Sequence, residues 1–334
     1  MTAVRVLVVT NMYPTEARPG GGTFVADQVR SLRATGAEAD VLFVDRATEG
    51  RRVYRGLAER VRADVARSTP DLVHVMYGGV MADVVTRVVE DRPVLVTFHG
   101  DDLQGNAGNG LLGALSGWYS TVASARAARR AAGVVVVSPH LRDAIAKSVN
   151  GSRVWVVSNG VDLGRFRPQE QAECQRALGW DTGRAQVLFP ARPARGEKRF
   201  HLAAAAVAML RESGVAVELQ VLDGVPHEEV PTWLNAADAV LLTSLREGSP
   251  MVVKEALACN VAVVSVDVGD VRERLAGIEG CFVAEPTPED LSHNLGRALA
   301  RTERIEGRER VAELSLERVA DTLREIYGVL TGAR

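Results

Sequence analysis

The sequence predicts an α/β protein made of two Rossmann-like, doubly wound domains, and three observations carry that expectation. Short, β-branched apolar runs recur along the chain and alternate with helical segments, the pattern of parallel strands covered on both faces. The alternation pauses once, at "SNGVDLGRFRP" (158–168), and then restarts. At 334 residues the chain also exceeds what one hydrophobic core usually fills. The expected domains are therefore 1–165 and 166–314, with a cleft between the carboxyl ends of their strands. A C-terminal helix of about 315–334 is expected to pack back onto the first domain.

The first strand, "VRVLVVT" (4–10), leads through a turn-rich loop ending "PGGGT" into the helical stretch "FVADQVRSLRATG", which Gly36 stops. "ADVLFVD" reads as the second strand and "RRVYRGLAERVRADVARS" as one Arg-rich helical stretch. The strands "DLVHVMY", "PVLVTF", "GVVVVS" and "VWVVS" complete the first half. Beyond the pause come "AQVLFPA", "VELQVLDG", "DAVLLTS", "VAVVSVD" and "GCFVAE", separated by helical segments such as "RFHLAAAAVAMLRESG". A long helix of roughly 307–330 closes the chain.

Composition is that of an ordinary globular protein, 46% hydrophobic and 25% charged, which argues against disorder. "MTAVRVLVVTNMYP" enters a strand-like run at once, with no basic region and cleavage site, and the uncharged stretch 103–125 is broken by Gly, Asn, Gln and Ser. The expected location is therefore cytoplasmic. Cys174, Cys259 and Cys281 are odd in number and far apart, which argues against a disulfide framework or a zinc site. Residues 1–165 hold 20 Lys and Arg against 16 Asp and Glu, so the basic excess lies in the first half. A pI of about 6.3 and the lack of a base-stacking aromatic array argue against nucleic acid.

The chemistry centres on "REGSPMVVKEALACNVAVVS" (246–265), an apolar run with Glu247 and Glu255 on either side of a Ser-Pro pair. Ser249 and Pro250 suit the N-cap and first position of a helix "PMVVKEALAC" that Asn260 can end. The backbone N–H groups of Gly248 through Met251 would then be unpaired donors suited to a phosphate, leaving both glutamates to accept from sugar or ribose hydroxyls. A capped helix with a surface glutamate fits the same spacing.

Glu247, Gly248, Ser249, Pro250 and Glu255 resemble the E-x7-E motif of retaining glycosyltransferases of family 4, which have the GT-B fold. The resemblance extends through "TFHGDD", "VVVVSPHLRDAI", "SNGVDLGRF", Glu197-Lys198, "NAADAVLLTSLREGSP" and "DVGDVRERL". Within the family it points to bacterial enzymes of cell-wall, exopolysaccharide or secondary-metabolite glycosylation.

The resemblance implies that Glu255 bonds the donor ribose and that Glu247 contacts the transferred sugar. Gly248, Ser249, Pro250 and Met251 would offer backbone donors to the sugar and diphosphate. Lys198 matches the basic residue that neutralises the leaving diphosphate, a task that needs fixed positive charge. Its usual arginine partner is displaced here, because Pro193 stands at the expected position; Arg195 is favoured and Arg192 is the alternative. Gly21 and Gly22 of "PGGGT", and Gly224 closing "VELQVLDG", join the donor-binding set, and His99 would meet the sugar's 6-hydroxyl. "SNGVD" (Asn159, Gly160, Asp162) matches a hinge motif, although turn chemistry explains Asn-Gly equally well. Asp101 and Asp102 invite a metal reading, but the family generally needs no divalent ion, so neither metal nor cofactor is expected.

The implied reaction moves a sugar from a nucleoside diphosphate sugar, UDP- or GDP-linked, to an acceptor hydroxyl with retention of configuration. Front-face attack, with the leaving phosphate taking the acceptor's proton, makes Glu247 donor-orienting and not a nucleophile. Two rivals are a nucleotide-sugar 2-epimerase and a non-catalytic nucleotide-sugar sensor or partner subunit. The acceptor could be a glycan, a small molecule or lipid-linked. Basic segments at 51–67 and around Arg126, Arg129 and Arg130 suit peripheral contact with the inner face of a membrane, or a merely solvated helix face.

Overall fold

The computed structural model describes residues 4–104, 111–146, 149 and 153–332, and the side chains of 104, 111–116 and 146 lie outside that description. Among the described residues eleven strands overlap the eleven predicted runs. They are β1 (Arg5–Thr10), β2 (Glu38–Phe43), β3 (Leu72–Met76), β4 (Val94–Phe98), β5 (Gly133–Val136) and β6 (Val154–Val156), then β7 (Ala185–Phe189), β8 (Val217–Val221), β9 (Ala239–Leu242), β10 (Ala262–Val266) and β11 (Phe282–Ala284). They make two parallel sheets, ordered β2-β1-β3-β4-β5-β6 and β11-β10-β9-β7-β8. Two Rossmann-like doubly wound units result, as the sequence predicts.

The first unit comprises the chain up to Gly160 together with Leu316 to the C-terminus; the second is Val161–Ser315. In β1 the alternation of side chains feeds two cores. Leu7 and Val9 join Leu57, Val61, Met81 and Val85 on one face, while Val6 and Val8 join Val25, Val29, Leu32 and Leu323 on the other. Uninterrupted apolar strands are the consequence of covering both faces. The second unit is likewise filled from both sides, with Val187, Leu188, Val240, Leu241, Val263 and Val264 in one core.

Residues 161–165, placed with the first half by the sequence, lie in the second unit because Val161 and Phe166 are buried in its core. Arg308 fixes this crossing segment, donating to the carbonyls of Leu163 (2.7 Å), Phe166 (2.7 Å) and Ala258 (2.9 Å).

Two predicted helices are broken. Residues 50–68 form a 3-10 turn (Gly50–Tyr54) and a helix (Leu57–Ser68), separated at Gly56, whose φ of 75° lies in the left-handed region. The expected helix of 307–330 is a short turn (Arg308–Val311), a 3-10 turn (Ala312–Leu314), extended Ser315 and the helix Leu316–Thr331. Leu314 is buried in the second core and its carbonyl accepts from Val161 N–H at 2.8 Å, whereas Val319, Leu323 and Tyr327 fill the first. A straight helix would not serve both.

The terminal helix is fastened to the first sheet by a buried polar contact. His74 on β3 has Nδ1 2.7 Å from the Tyr327 hydroxyl and Nε2 2.7 Å from the Thr97 hydroxyl. Complete burial pushes the imidazole down to about 3, so it stays neutral. Because the unfolded imidazole titrates near 6.5, its stabilising contribution is complete above that pH and is lost as pH falls toward the folded value. Wild type should therefore lose stability by up to about 1.4 kcal/mol per pH unit more steeply than His74→Gln as pH falls below neutrality. Urea midpoints measured for both proteins between pH 7 and pH 5 check this; parallel pH dependences would refute it.

Candidate active site

In the second sheet β7 lies between β8 and β9, so chain order reverses there and the loops leaving β7 and β9 diverge at a switch point. These loops carry Lys198 and Glu247. Backbone ties bring them together: Leu245 N–H donates to the Glu197 carbonyl (2.8 Å), and the Thr243 hydroxyl donates to the Lys198 carbonyl (2.7 Å). Arg199 donates to the carbonyls of Thr243 (2.7 Å) and Ser244 (3.0 Å) while holding a left-handed φ of 50°, unfavourable for a long side chain. Lys198 Nζ then stands 2.5 Å from Glu247 Oε1, with the two side chains only 16% and 17% exposed.

The helix after Glu247 runs Met251–Ala258, with Pro250 as its N-cap and no side-chain cap. Ser249, expected as the cap, donates its hydroxyl proton to Asp270 Oδ2 at 2.7 Å. Asn260, at φ 56°, follows the helix end and its side chain accepts from Gly307 and Arg308 N–H. Gly248, Ser249, Pro250 and Glu255 are buried, and Met251 is half-buried. Beside Glu255, Lys254 is completely buried; that burial pushes its ammonium down to about 8, although the charges of Asp270 and Glu255 act the other way.

The two candidate arginines are exposed and separately paired. Arg192 meets Asp223 at 3.0 Å and Arg195 meets Glu197 at 2.6 Å. Gly224 is exposed in the turn beside Asp223.

In the first unit β1 lies between β2 and β3, again a switch point. Gly22 begins the helix Thr23–Ala34 at φ 72°, and a Cβ there would stand 2.3 Å from the Met12 carbonyl carbon, so only glycine fits. Gly21 N–H donates to the Arg18 carbonyl at 3.1 Å. His99, after β4, packs edge-on to Phe24 (5.2 Å between centroids) and stacks on Tyr77 (6.3 Å). Buried Asp102 organises this corner by accepting from the N–H groups of Gly78 (2.8 Å), His99 (3.0 Å) and Gly100 (2.9 Å). Burial pushes its carboxyl up to about 6 against the pull of those donors.

Sequence reasoning missed Arg199, Thr243, Asp102 and Asp270, which hold the others in place. Asp102, Thr243 and Asp270 stood inside quoted motifs; Arg199 carried no signal beyond following Lys198. Among the described residues no three His, Cys, Asp or Glu side chains gather at metal-binding spacing.

Two Rossmann-like units, each built on a parallel sheet, are the architecture of GT-B glycosyltransferases. "Glycosyltransferase Family 4" matches residues 6–165 and "Glycosyl transferases group 1" matches 186–301. The chain belongs to the family 4 glycosyltransferases. It is 26% identical to the putative teichuronic acid biosynthesis glycosyltransferase TuaC of Bacillus subtilis, over 80% of this chain and 82% of that protein. Among solved structures, sucrose-phosphate synthase from Thermosynechococcus elongatus superposes with a TM-score of 0.79 at 16% identity, covering 99% of this chain and 100% of that one. Anabaena HepE in complex with UDP and glucose superposes with a TM-score of 0.71 at 14% identity, covering 98% and 100%. At those identities the likeness is one of fold.

Removing the Thr243 hydroxyl should free the loop that carries Lys198. Thr243→Val is expected to raise amide exchange over residues 196–199 by about tenfold or more, without change in the strands of the same unit. Unchanged exchange there would show that the loop is held by other contacts.

Proposed function

We propose that this glycosyltransferase takes a nucleoside diphosphate sugar, UDP- or GDP-linked, and transfers the sugar to an acceptor hydroxyl with retention of configuration. The observation that carries the reading is the meeting of Lys198 and Glu247 at the carboxyl ends of β7 and β9. Open α/β sheets bind their ligands there. In this reading Lys198 supports the negative charge that collects on the departing diphosphate, the term that fixed charge lowers most in such a transfer. No metal is invoked for that task. Glu247 orients both the lysine and the sugar, and Glu255 accepts from the ribose. The acceptor's proton leaves with the diphosphate, so that the C–O bond to the acceptor forms on the face from which the leaving oxygen departs.

HepE has been crystallised with UDP and glucose, and with UDP-glucose, which favours a uridine donor as the first to be tried. The first unit is read as the acceptor side. A lipid-linked acceptor is favoured by one observation. Trp118 and Tyr119 are 66% and 51% exposed on the helix Leu111–Arg130, with Arg126 and Arg129 exposed two and three turns on. The side chains of 111–116, which begin that segment, lie outside the described residues. No helix among the described residues is long and apolar enough to cross a membrane, so contact would be peripheral.

A thermal-shift panel of UDP, GDP, ADP and dTDP at millimolar concentration tests the donor. One nucleotide should stabilise wild type, since a ligand bound only by the native state raises its stability. Glu255→Ala should abolish that shift. Glu247→Ala and Lys198→Ala should cut turnover by about a hundredfold or more, and Glu247→Ala should weaken binding of the bare nucleotide far less. A normal shift with Glu255→Ala would remove that residue from the site, and an inverted anomeric proton signal in the product would remove retention. For the membrane, wild type should sediment with anionic vesicles and Trp118→Ser/Tyr119→Ser should not; equal sedimentation of both would dismiss this helix as the docking face.

A further inference from the structure

The turn that follows β10 stands directly against the loop that carries Glu247. Gly269 holds φ 59°, and a Cβ built there would lie 2.7 Å from the Gly248 carbonyl oxygen and 3.2 Å from that of Glu247. No residue with a side chain fits without moving one of the two loops. The next residue, Asp270, is almost completely buried, and its Oδ2 accepts from the Ser249 hydroxyl at 2.7 Å and from Arg274 Nε at 2.9 Å. Its other oxygen is buried with no hydrogen-bond partner among the described residues, so its hydrogen-bonded hold on the loop passes through Oδ2.

A serine before a helix ordinarily turns its hydroxyl onto the first free N–H groups. The Ser249 hydroxyl donates its proton to Asp270, which fixes its rotamer. Arg274 is 16% exposed, Lys254 is completely buried, and both lie near enough for their charges to balance those of Asp270 and Glu255. For stability alone, apolar residues of similar volume would serve such a place at least as well as buried charge. What buried charge adds here is a fixed direction.

We propose that Asp270 is a positioning residue of the donor site. By holding Ser249, it sets the Glu247–Met251 turn so that Glu247 stays on Lys198 and the turn's backbone N–H groups stay open to the diphosphate. This rests on the donor reading given under Proposed function. Asp270 touches neither nucleotide nor sugar; it acts through Ser249. The diphosphate end of the donor depends on it and the ribose end, held by Glu255, does not.

Wild type, Ser249→Ala, Asp270→Ala, their double variant and Asp270→Asn are compared in two ways. The first is hydrogen exchange over residues 246–253 without ligand. The second is calorimetric titration with UDP and UMP, or with GDP and GMP if wild type prefers guanine. Exchange in that segment should rise about tenfold or more in Ser249→Ala and in Asp270→Ala, with no further rise in the double variant, because the two groups act as one. Affinity for the diphosphate should fall about tenfold and affinity for the monophosphate less than threefold, while Asp270→Asn, which keeps an oxygen for Ser249, stays within about threefold of wild type. Where Asp270→Ala does not fold, Ser249→Ala carries the same comparison.

Unchanged exchange, equal loss for diphosphate and monophosphate, or an Asp270→Asn as weak as Asp270→Ala would overturn the assignment and leave the donor reading standing. Failure of wild type to bind either diphosphate would overturn the donor reading and this assignment with it.

Discussion

A lysine and a glutamate held 2.5 Å apart, with most of their surface out of water, form the constraint on which the second unit turns. Neither charge would be stable there alone, because removing one partner of a partly buried pair leaves the other desolvated and uncompensated. The pair therefore requires that two loops from different strands keep their places to within a fraction of an ångström. Side chains as long as Lys198 do not secure that by themselves. Arg199 and Thr243 do it through carbonyl groups, so the backbone of each loop is tied to the other before either functional side chain is placed. The left-handed φ at Arg199 is accompanied by two carbonyl acceptors for its guanidinium, which offset its cost.

Both sheets meet the same demand in the same way. Parallel strands covered on both faces leave little room for ionisable groups, and those that act must gather at the carboxyl ends where the chain order reverses. In the second unit a cation and a carboxylate do the gathering. In the first, one buried carboxylate does it by collecting three backbone N–H groups from the ends of β3 and β4, which fixes the loop that carries His99. Asp102 is thus occupied as a hydrogen-bond acceptor for the backbone of that loop.

Strand positions were legible because a parallel sheet writes itself as apolar runs whose length and spacing are local properties. The E-x7-E stretch was legible because its helix and loop are contiguous. Two kinds of feature were not. Ser249 looked like an N-cap, and the sequence shows its neighbours and not Asp270, 21 positions away, which takes its hydroxyl proton. The terminal helix looked continuous, since nothing in residues 307–330 reveals that Leu314 belongs to one core and Val319 to the other. Periodicity reports that a face is apolar; it does not report which core receives it. Arg199 and Thr243 were invisible for a related reason, because their work is done on carbonyl groups that every residue possesses.

Arg192 and Arg195 differ from Lys198 in how they are held. Arg192 and Arg195 are 64% and 55% exposed and each rests on an exposed carboxylate, Asp223 or Glu197. Pairs of that kind contribute about 0–1 kcal/mol and exchange partners readily. Lys198 is held on its partner at 16% exposure by a braced loop. Preorganised charge is worth most where charge develops, since it need not be rearranged during the reaction. Under the proposed diphosphate-leaving reaction Lys198 would serve as the fixed cation and the two arginines as adaptable ones, free to exchange Asp223 and Glu197 for the anion. On that reading Pro193 at the position usual for the arginine would matter little, because an exposed side chain can approach the anion from either flank and a fixed one would not.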